Sequence, residues 1–320
     1  MKVMGQRSWA AGAPMELLEL PTPQPKPDEV RVAVRAIGVN PVDWKMRTRG
    51  PLRLAARLVG PPPPVVVGVD FAGVVEAVGT AVSTVKVGDA VVGGTDFSRK
   101  QHGSYADTVL VRTNQLCVLP AGFDLDVAAA LPVAAVTAWM ALTELSHISA
   151  GKRVLVLGAS GAVGQCCVQL ARHTLGATVV GVCSARNVAL VTSLGANTVL
   201  DYGVAGVLDR AREHGPFDAV VDSAGGYPAA ACRGMLAKGG RHIMVAGSAP
   251  LDLAQVLVPP FTSKSILGVA TTARLQHVVN AVAAGQLKMA IARVMPLNSA
   301  EEAHRISQEG RLTGKLVLHP

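Results

Sequence analysis

Residues 153 to 186 read RVLVLGASGAVGQCCVQLARHTLGATVVGVCSAR. Their types and spacing suit the capture of a diphosphate. Gly158-Ala159-Ser160-Gly161-Ala162-Val163-Gly164 contains Ala159-x-Gly161-x-x-Gly164, a form of the G-x-G-x-x-G turn with alanine in the first glycine's place. Gly161 lets the backbone approach a pyrophosphate, with Ser160, Ala162 and Val163 around it, and Gly164 lets a helix pack close on a strand. A helix opening at about Ala162 aims N–H groups and the positive end of its dipole at the phosphates, so no charged side chain is needed. Cofactor choice is read about 20 residues later, at the end of the apolar run Thr178–Val182, where an Asp or Glu would bind the ribose 2′-hydroxyl of NAD. Cys183-Ser184-Ala185-Arg186-Asn187 stands there instead. The hydroxyl of Ser184 and the fork of Arg186 suit a 2′-phosphate, so the expected cofactor is NADP(H). Asp201 comes too late to take the acid's role and ends a third strand at Asn197–Leu200.

The elements that must position this turn are an apolar strand at Val154–Leu157, a helix, a second strand and further strands at Phe217–Val221 and Arg241–Val245. Strand–helix alternation from residue 126 onward implies a parallel sheet. The earlier chain has a different texture. Pro21 to Pro27 is a stiff lead-in, and Val30–Arg35 alternates apolar and basic residues like a half-exposed strand. Pro61–Pro64 reads as loop, Val65–Val67 and Phe71–Val78 as strands, and Gly103–Val111 as another strand carrying Tyr105. Near the end, Ser299–Gln308 reads as a helix with Ser299 and Glu302 as a capping box, and Lys315–Leu318 as a strand that must join some sheet. The fold class is therefore α/β, with a mostly antiparallel β domain and a doubly wound parallel sheet.

With 50% hydrophobic residues in 320, the chain can build two cores. The net charge of +8 is scattered, without a basic run or interleaved aromatics, so it favours a polyanionic cofactor over nucleic acid. The start lacks the apolar core of a signal peptide, and the longest apolar stretch, Val127–Leu142, contains Pro132 and falls short of a membrane span. Neither nucleic acid nor membrane is an expected partner, and a cytoplasmic location is expected. The five cysteines lack C-x-x-C spacing and the histidines form no ligand motif, so no metal site is expected.

With these residues in hand, the chain resembles the medium-chain dehydrogenase/reductase superfamily, in its zinc-independent quinone oxidoreductase and enone reductase branch. The resemblance rests on Gly38-Val39-Asn40-Pro41-Val42-Asp43, Gly68-Val69-Asp70-Phe71-Ala72-Gly73, Gly103-Ser104-Tyr105-Ala106, Leu131-Pro132 through Thr137-Ala138, the glycine turn, Ser193-Leu194-Gly195-Ala196 with Asp201-Tyr202, and Gly314-Lys315. It implies a GroES-like domain over residues 1–124, completed by 286–320, and a Rossmann domain over 125–285. Zinc alcohol dehydrogenases carry Gly-His-Glu where this chain has Gly68-Val69-Asp70, and their cysteine ligand position near residue 43 is an aspartate here. By position, the resemblance implies Asn40 at the substrate and Thr137 at the nicotinamide carboxamide. Ser184 and Arg186 fall at the 2′-phosphate, Tyr202 near the adenine ribose, and Ser223, Gly247 and Ser248 along the cofactor. It also implies a homodimer joined through the sheet edge at Ser265–Val269.

Several roles stay open at this level. Tyr105 packs its domain or acts at the substrate. Asp43 acts at the site or ties down its own loop, and Lys315 reaches the cofactor or serves its strand. Tyr105, Lys45 and solvent are all available as proton donor. The expected reaction is hydride transfer from NADPH to a quinone or to the C=C bond of an α,β-unsaturated carbonyl. The alternatives are a zinc-free C=O reductase and a non-catalytic NADPH-binding protein.

Overall fold

The computed structural model describes residues 1–48, 50–245, 255–257, 259, 261–266, 268–310 and 312–320. The chain forms two compact units, one of residues 1–133, 269–279 and 289–320, the other of 134–268 and 280–288. Residues 125–133 and 269–279, assigned from sequence to the second domain, thus pack in the first unit, and 286–288 in the second.

The first unit contributes β1 (Lys2–Gln6), β2 (Glu16–Glu19), β3 (Glu29–Gly38), β4 (Val65–Val66), β5 (Asp70–Val78), β6 (Ala90–Gly94), β7 (Thr108–Arg112) and β8 (Leu116–Val118). Helices α1 (Pro41–Lys45), α2 (Pro51–Val59) and α3 (Leu125–Ala129) lie in its connections, and α4 (Pro132–Trp139) leads out of it. The second unit holds β9 (Arg153–Leu157), α5 (Ala162–Gln169), β10 (Thr178–Cys183), β11 (Thr198–Asp201), β12 (Phe217–Asp222), β13 (Leu236–Met244) and β14 (Ser263–Ser265). The chain then returns to the first unit with β15 (Ile291–Pro296) and β16 (Lys315–His319).

In the second unit the strand order is β11-β10-β9-β12-β13-β14, all parallel. That is the Rossmann order, which puts a ligand crevice at the carboxyl ends of β9 and β12, where the winding reverses. β9 and β10 are buried from their second residue onward, as apolar runs covered on both faces must be. In the first unit one sheet runs β15-β16-β3-β5-β6-β8 with β7 also on β3, and a smaller sheet runs β2-β1-β4. β16 pairs antiparallel with the end of β3, Val317 with Gly38 and Leu318 with Ile37, and this register brings Lys315 to the start of α1.

Two local readings need correction. Gly103–Val111 is not one strand: Gly103, Ser104 and Tyr105 donate their N–H groups to Val66, Gly68 and Val67, so this segment folds across residues 66–68 and the strand begins only at Thr108. The helix Ala300–Glu309 has no capping box, because Ser299 ends a 3-10 turn with non-extended backbone, while Glu302 pairs with Arg293 at 3.5 Å.

Gly38 ends β3 beneath α3. A Cβ there would stand 2.2 Å from the Ala129 carbonyl oxygen and 3.1 Å from Asp70 Oδ2. Gly38→Ala is therefore expected to cost about 1–3 kcal/mol of stability by overpacking. A lowered urea midpoint at unchanged slope would register it. An unchanged midpoint would mean that α3 can withdraw without cost.

Candidate active site

After β3 the chain turns at Asn40, extended at φ −130° and ψ 152°, and enters α1 with Pro41 in its first turn, where a missing N–H costs nothing. Asp43, one turn in, reaches back to accept the Asn40 N–H at 2.8 Å. The Asn40 side chain is held at both ends. Its Nδ2 donates to Gly38 O at 3.2 Å and to Asp70 Oδ2 at 2.9 Å, and its Oδ1 accepts from Lys315 Nζ. Lys315 also donates to Asp70 Oδ2 at 3.3 Å, and Asp70 Oδ1 accepts the Val133 N–H at 3.0 Å. Asn40, Asp70 and Lys315 are all buried. An unpaired charge at such depth would be prohibitively costly, and here the Lys315 ammonium faces the Asp70 carboxylate.

A second chain of bonds leaves Asp43 for the surface. The Tyr105 hydroxyl lies 3.2 Å from Asp43 Oδ2 and 2.9 Å from His304 Nε2, and His304 Nδ1 lies 3.0 Å from Arg47. Arg47 also donates to Ala13 O and, at 3.0 Å, to Glu301, which is half exposed. A guanidinium only donates, so His304 Nδ1 must accept. Its Nε2–H then donates to Tyr105, and Tyr105 donates to Asp43. The direction of every bond follows from Arg47.

Burial holds the Asp43 carboxyl at about 8, against 3.8 ordinarily, despite the bonds from Asn40 and Tyr105. At neutral pH it is therefore largely protonated, and its Oδ1 has no partner among the described residues. Burial first, and Lys315 opposing it, set Asp70, whose net shift is upward. Asp70 accepts from three donors, one of them the Lys315 ammonium, against Asp43's two. His304 is pushed down to about 3, by burial and then by Arg47, and is neutral. Tyr105 is raised well above its ordinary range, chiefly by burial.

Asn40, Asp43 and Tyr105 therefore come together, and Lys315, expected along the cofactor, joins them through its bonds to Asn40 and Asp70. Tyr105 has no exposed surface and its ring belongs to the first unit's apolar core, so its internal packing role is the one the structure displays. Lys45 lies 5.7 Å from the Trp44 ring centroid. The sequence reading missed Arg47, His304 and Glu301 and used Asp70 only as a motif letter. Two signals were available: an acid inside the apolar run VVVGVDFAGVV, and a histidine one turn beyond Ala300 on the buried face of an otherwise charged helix.

In the second unit the turn after β9 puts positive φ at Gly158, +77°, and not at residue 159, which is why alanine is tolerated there. Room for the Ala159 methyl comes from Gly181 on β10, whose own Cβ would lie 3.1 Å from it. At Gly161 a Cβ would meet only Gly158 O, at 3.4 Å, so its face is open; at Gly164 it would lie 2.2 Å from that same oxygen, so α5 packs against the turn. Gly161 caps α5 without a side-chain bond, and the Ser160 carbonyl accepts from Gln165. Ala162 and Val163 form the first turn of α5, at the crevice end of β9. These features fit a diphosphate.

Ser184 and Arg186 follow β10, and Tyr202 joins them because its N–H donates to Cys183 O at 3.0 Å. Asp201 turns its carboxylate to the Gly203 N–H at 2.9 Å, within its own loop. Ser223 donates its hydroxyl to Leu157 O at 2.7 Å, clipping the turn to β12. Thr137 lies under Gly268, where a Cβ would come 2.1 Å from its hydroxyl. Gly247 and Ser248 lie outside the described residues.

Residues 26–121 match the family model for the alcohol dehydrogenase GroES-like domain, and residues 194–318 the one for zinc-binding dehydrogenases. The chloroplast envelope quinone oxidoreductase homolog of Arabidopsis thaliana is 33% identical over 100% of this chain and 98% of its own. The NADPH-dependent alkenal/one oxidoreductase of the same plant is 38% identical over 63% of this chain and 52% of its own. The quinone oxidoreductase structure from Coxiella burnetii superposes with a TM-score of 0.88 at 27% identity, covering 100% of this chain and 99% of that one.

Tyr105→Phe would strand the His304 Nε2–H and one lone pair of Asp43, at a cost of about 1–3 kcal/mol read from denaturant unfolding. The two shifted groups also set a pH dependence. Between about pH 4 and 6.5 the unfolded chain holds a proton on His304 and the folded chain holds one on Asp43, so their contributions cancel. Above 6.5 only the folded state is protonated, so stability falls as pH rises toward 8; below 4 the unfolded state gains the extra proton, so stability falls again. His304→Gln removes the acid-side term. In that variant stability should climb steadily from pH 8 to 4, at up to about 1.4 kcal/mol per pH unit, whereas the parent's levels off below about pH 6.5. Parallel pH profiles in parent and variant would overturn the His304 assignment.

Proposed function

We propose, since the chain belongs to the medium-chain dehydrogenase/reductase superfamily and within it to the quinone oxidoreductase and enone reductase branch, that it transfers hydride from NADPH to a quinone or to the C=C bond of an α,β-unsaturated carbonyl compound. The observation that carries the choice of NADPH is the crevice end of β10, where Ser184, Arg186 and Tyr202 gather and the nearest acid, Asp201, is tied into its own turn. Arg186 can make charge-assisted bonds to a 2′-phosphate, and the Asp201 carboxylate is engaged by the Gly203 N–H.

Bound nicotinamide supplies the hydride. The chain's own residues bind and orient. Gly161, Ala162 and Val163 present backbone to the diphosphate, with Ser160 in the turn, Gly164 setting the helix close and Ser223 holding the turn against β9. Thr137, Gly247 and Ser248 complete the proposed cofactor contacts. In the first unit, Asn40 is the residue we assign to the substrate. Lys315 and Asp70 fix its amide, so that any group it offers is held in one orientation before substrate arrives. Asp43 and Tyr105 act through Asn40, as positioning residues: the Asp43 carboxyl holds the Asn40 backbone, and Tyr105 holds Asp43.

The residues present do not suit a catalytic zinc. Val69 offers no ligand, Asp43 is largely protonated and bonded, and the Lys315 ammonium already neutralises Asp70. Among the described residues no group of three or more His, Cys, Asp or Glu is placed to hold a metal. Stabilisation of an enolate or quinol oxyanion is accordingly assigned to hydrogen bonds. A homodimer through the outer edge of the parallel sheet, where the strand is β14 at Ser263–Ser265 and not the expected Ser265–Val269, and a cytoplasmic location, belong to the same proposal.

Oxidation of NADPH and NADH against a naphthoquinone, an alkyl enone and a saturated aldehyde, with product identification, tests the reaction. Quinol or saturated carbonyl supports it; alcohol from the aldehyde alone would make the protein a C=O reductase, and tight NADPH binding without turnover a non-catalytic one. Arg186→Ala is expected to raise KM for NADPH about 10- to 100-fold, the loss of one charge-assisted contact, and to leave NADH unchanged. An equal change for both cofactors would remove the 2′-phosphate assignment.

A further inference from the structure

Helix α2 carries two apolar sectors. Leu52 and Ala56 turn inward, and the helix is pinned on that side: Arg53 donates to Trp9 O, Trp9 donates to Pro61 O at 3.1 Å, and the Trp9 ring meets Phe97 edge-on at 6.5 Å. A globular helix needs one such face. Opposite it, Leu54 and Leu58 are 57% and 74% exposed, with Ala55 exposed beside them. Leu54 and Leu58 are four residues apart and share one stripe. Arg57 borders the stripe, exposed and without an acidic partner among the described residues, and the neighbouring turn Phe97–Arg99 runs on to an equally exposed Lys100. From Trp44 to Val69 the chain contains no Asp or Glu.

We propose that this face of α2 seats on an anionic membrane surface, with Leu54 and Leu58 entering the headgroup–acyl boundary and Arg57 and Lys100 meeting lipid phosphates. The charge pattern selects this occupant over a second copy of the chain. A two-fold contact of the patch with itself would bring Arg57 toward its own equivalent, with no carboxylate on this stretch to neutralise it. A surface of anionic lipid supplies the opposite charge and the apolar layer together. The proposal departs from the expectation of no membrane partner and is independent of the reaction, since it concerns a surface whose binding needs neither cofactor nor acceptor.

The test is cosedimentation of the full chain with vesicles of phosphatidylcholine alone and of phosphatidylcholine with phosphatidylglycerol. Circular dichroism would verify folding, and sedimentation velocity without lipid would follow the oligomeric state. Binding to the anionic vesicles only, weakened by salt, is expected. Arg57→Glu, a change of two charges, should weaken it roughly thirtyfold, and the double variant Leu54→Ser, Leu58→Ser by at least about tenfold. Absence of binding to anionic vesicles, or binding indifferent to both variants, would overturn the proposal. So would a leucine variant that changes the oligomeric state while the parent ignores lipid, which would make the face a contact between copies.

Discussion

Two carboxylic acids with no exposed surface, Asp43 and Asp70, constrain the first unit more than any apolar contact does. Each must be neutralised or bonded on every side, because a stranded charge there would cost more than most domains have to spare. The solutions differ. Asp70 is met by the Lys315 ammonium, a backbone N–H and the Asn40 amide, whereas Asp43 keeps a proton and takes its bonds from Asn40 and Tyr105. Those needs shape the local structure: the turn at Asn40, the close approach at Gly38, the path of residues 103–105 across 66–68, and the placement of His304 and Arg47 on the far side of Tyr105.

The same constraint ties together the residues that sequence alone singled out. Asn40, Asp43 and Tyr105 were legible as polar groups in otherwise apolar motifs, and they do cluster. What could not be read was how fully they satisfy one another. Hydrogen-bond partners 199 to 275 residues apart in the chain leave no local pattern. Lys315 shows this most clearly, since position in the chain linked it to the cofactor while the register of β16 on β3 carries its ammonium to Asn40.

The second unit was more legible because its determinants are local. A buried strand, a turn with glycines at set intervals and a helix follow one another within about 20 residues, and the parallel order follows from handed crossovers. Even there the sequence located the first glycine by motif, while the backbone places the demand for positive φ one residue earlier, at Gly158. Strand ends were the weak point. β13 begins at Leu236, ahead of the apolar run that marks it, because Leu236 pairs with Phe217 before a register shift carries the pairing on to Ala219 and Arg241.

The first unit is discontinuous: residues 134–268 intervene before its last strands, and β16 supplies the cation that balances Asp70. During synthesis on the ribosome, β3, α1 and β5 emerge long before that cation exists. The nascent first unit therefore holds an acid whose counter-ion is still untranslated, whereas the second unit has all its parallel strands by residue 265. The usual order, in which the amino-terminal domain finishes folding first, is therefore expected to be reversed here. The second unit is expected to mature while the other waits, with the long loop to β16 closing as a late, high-contact-order step.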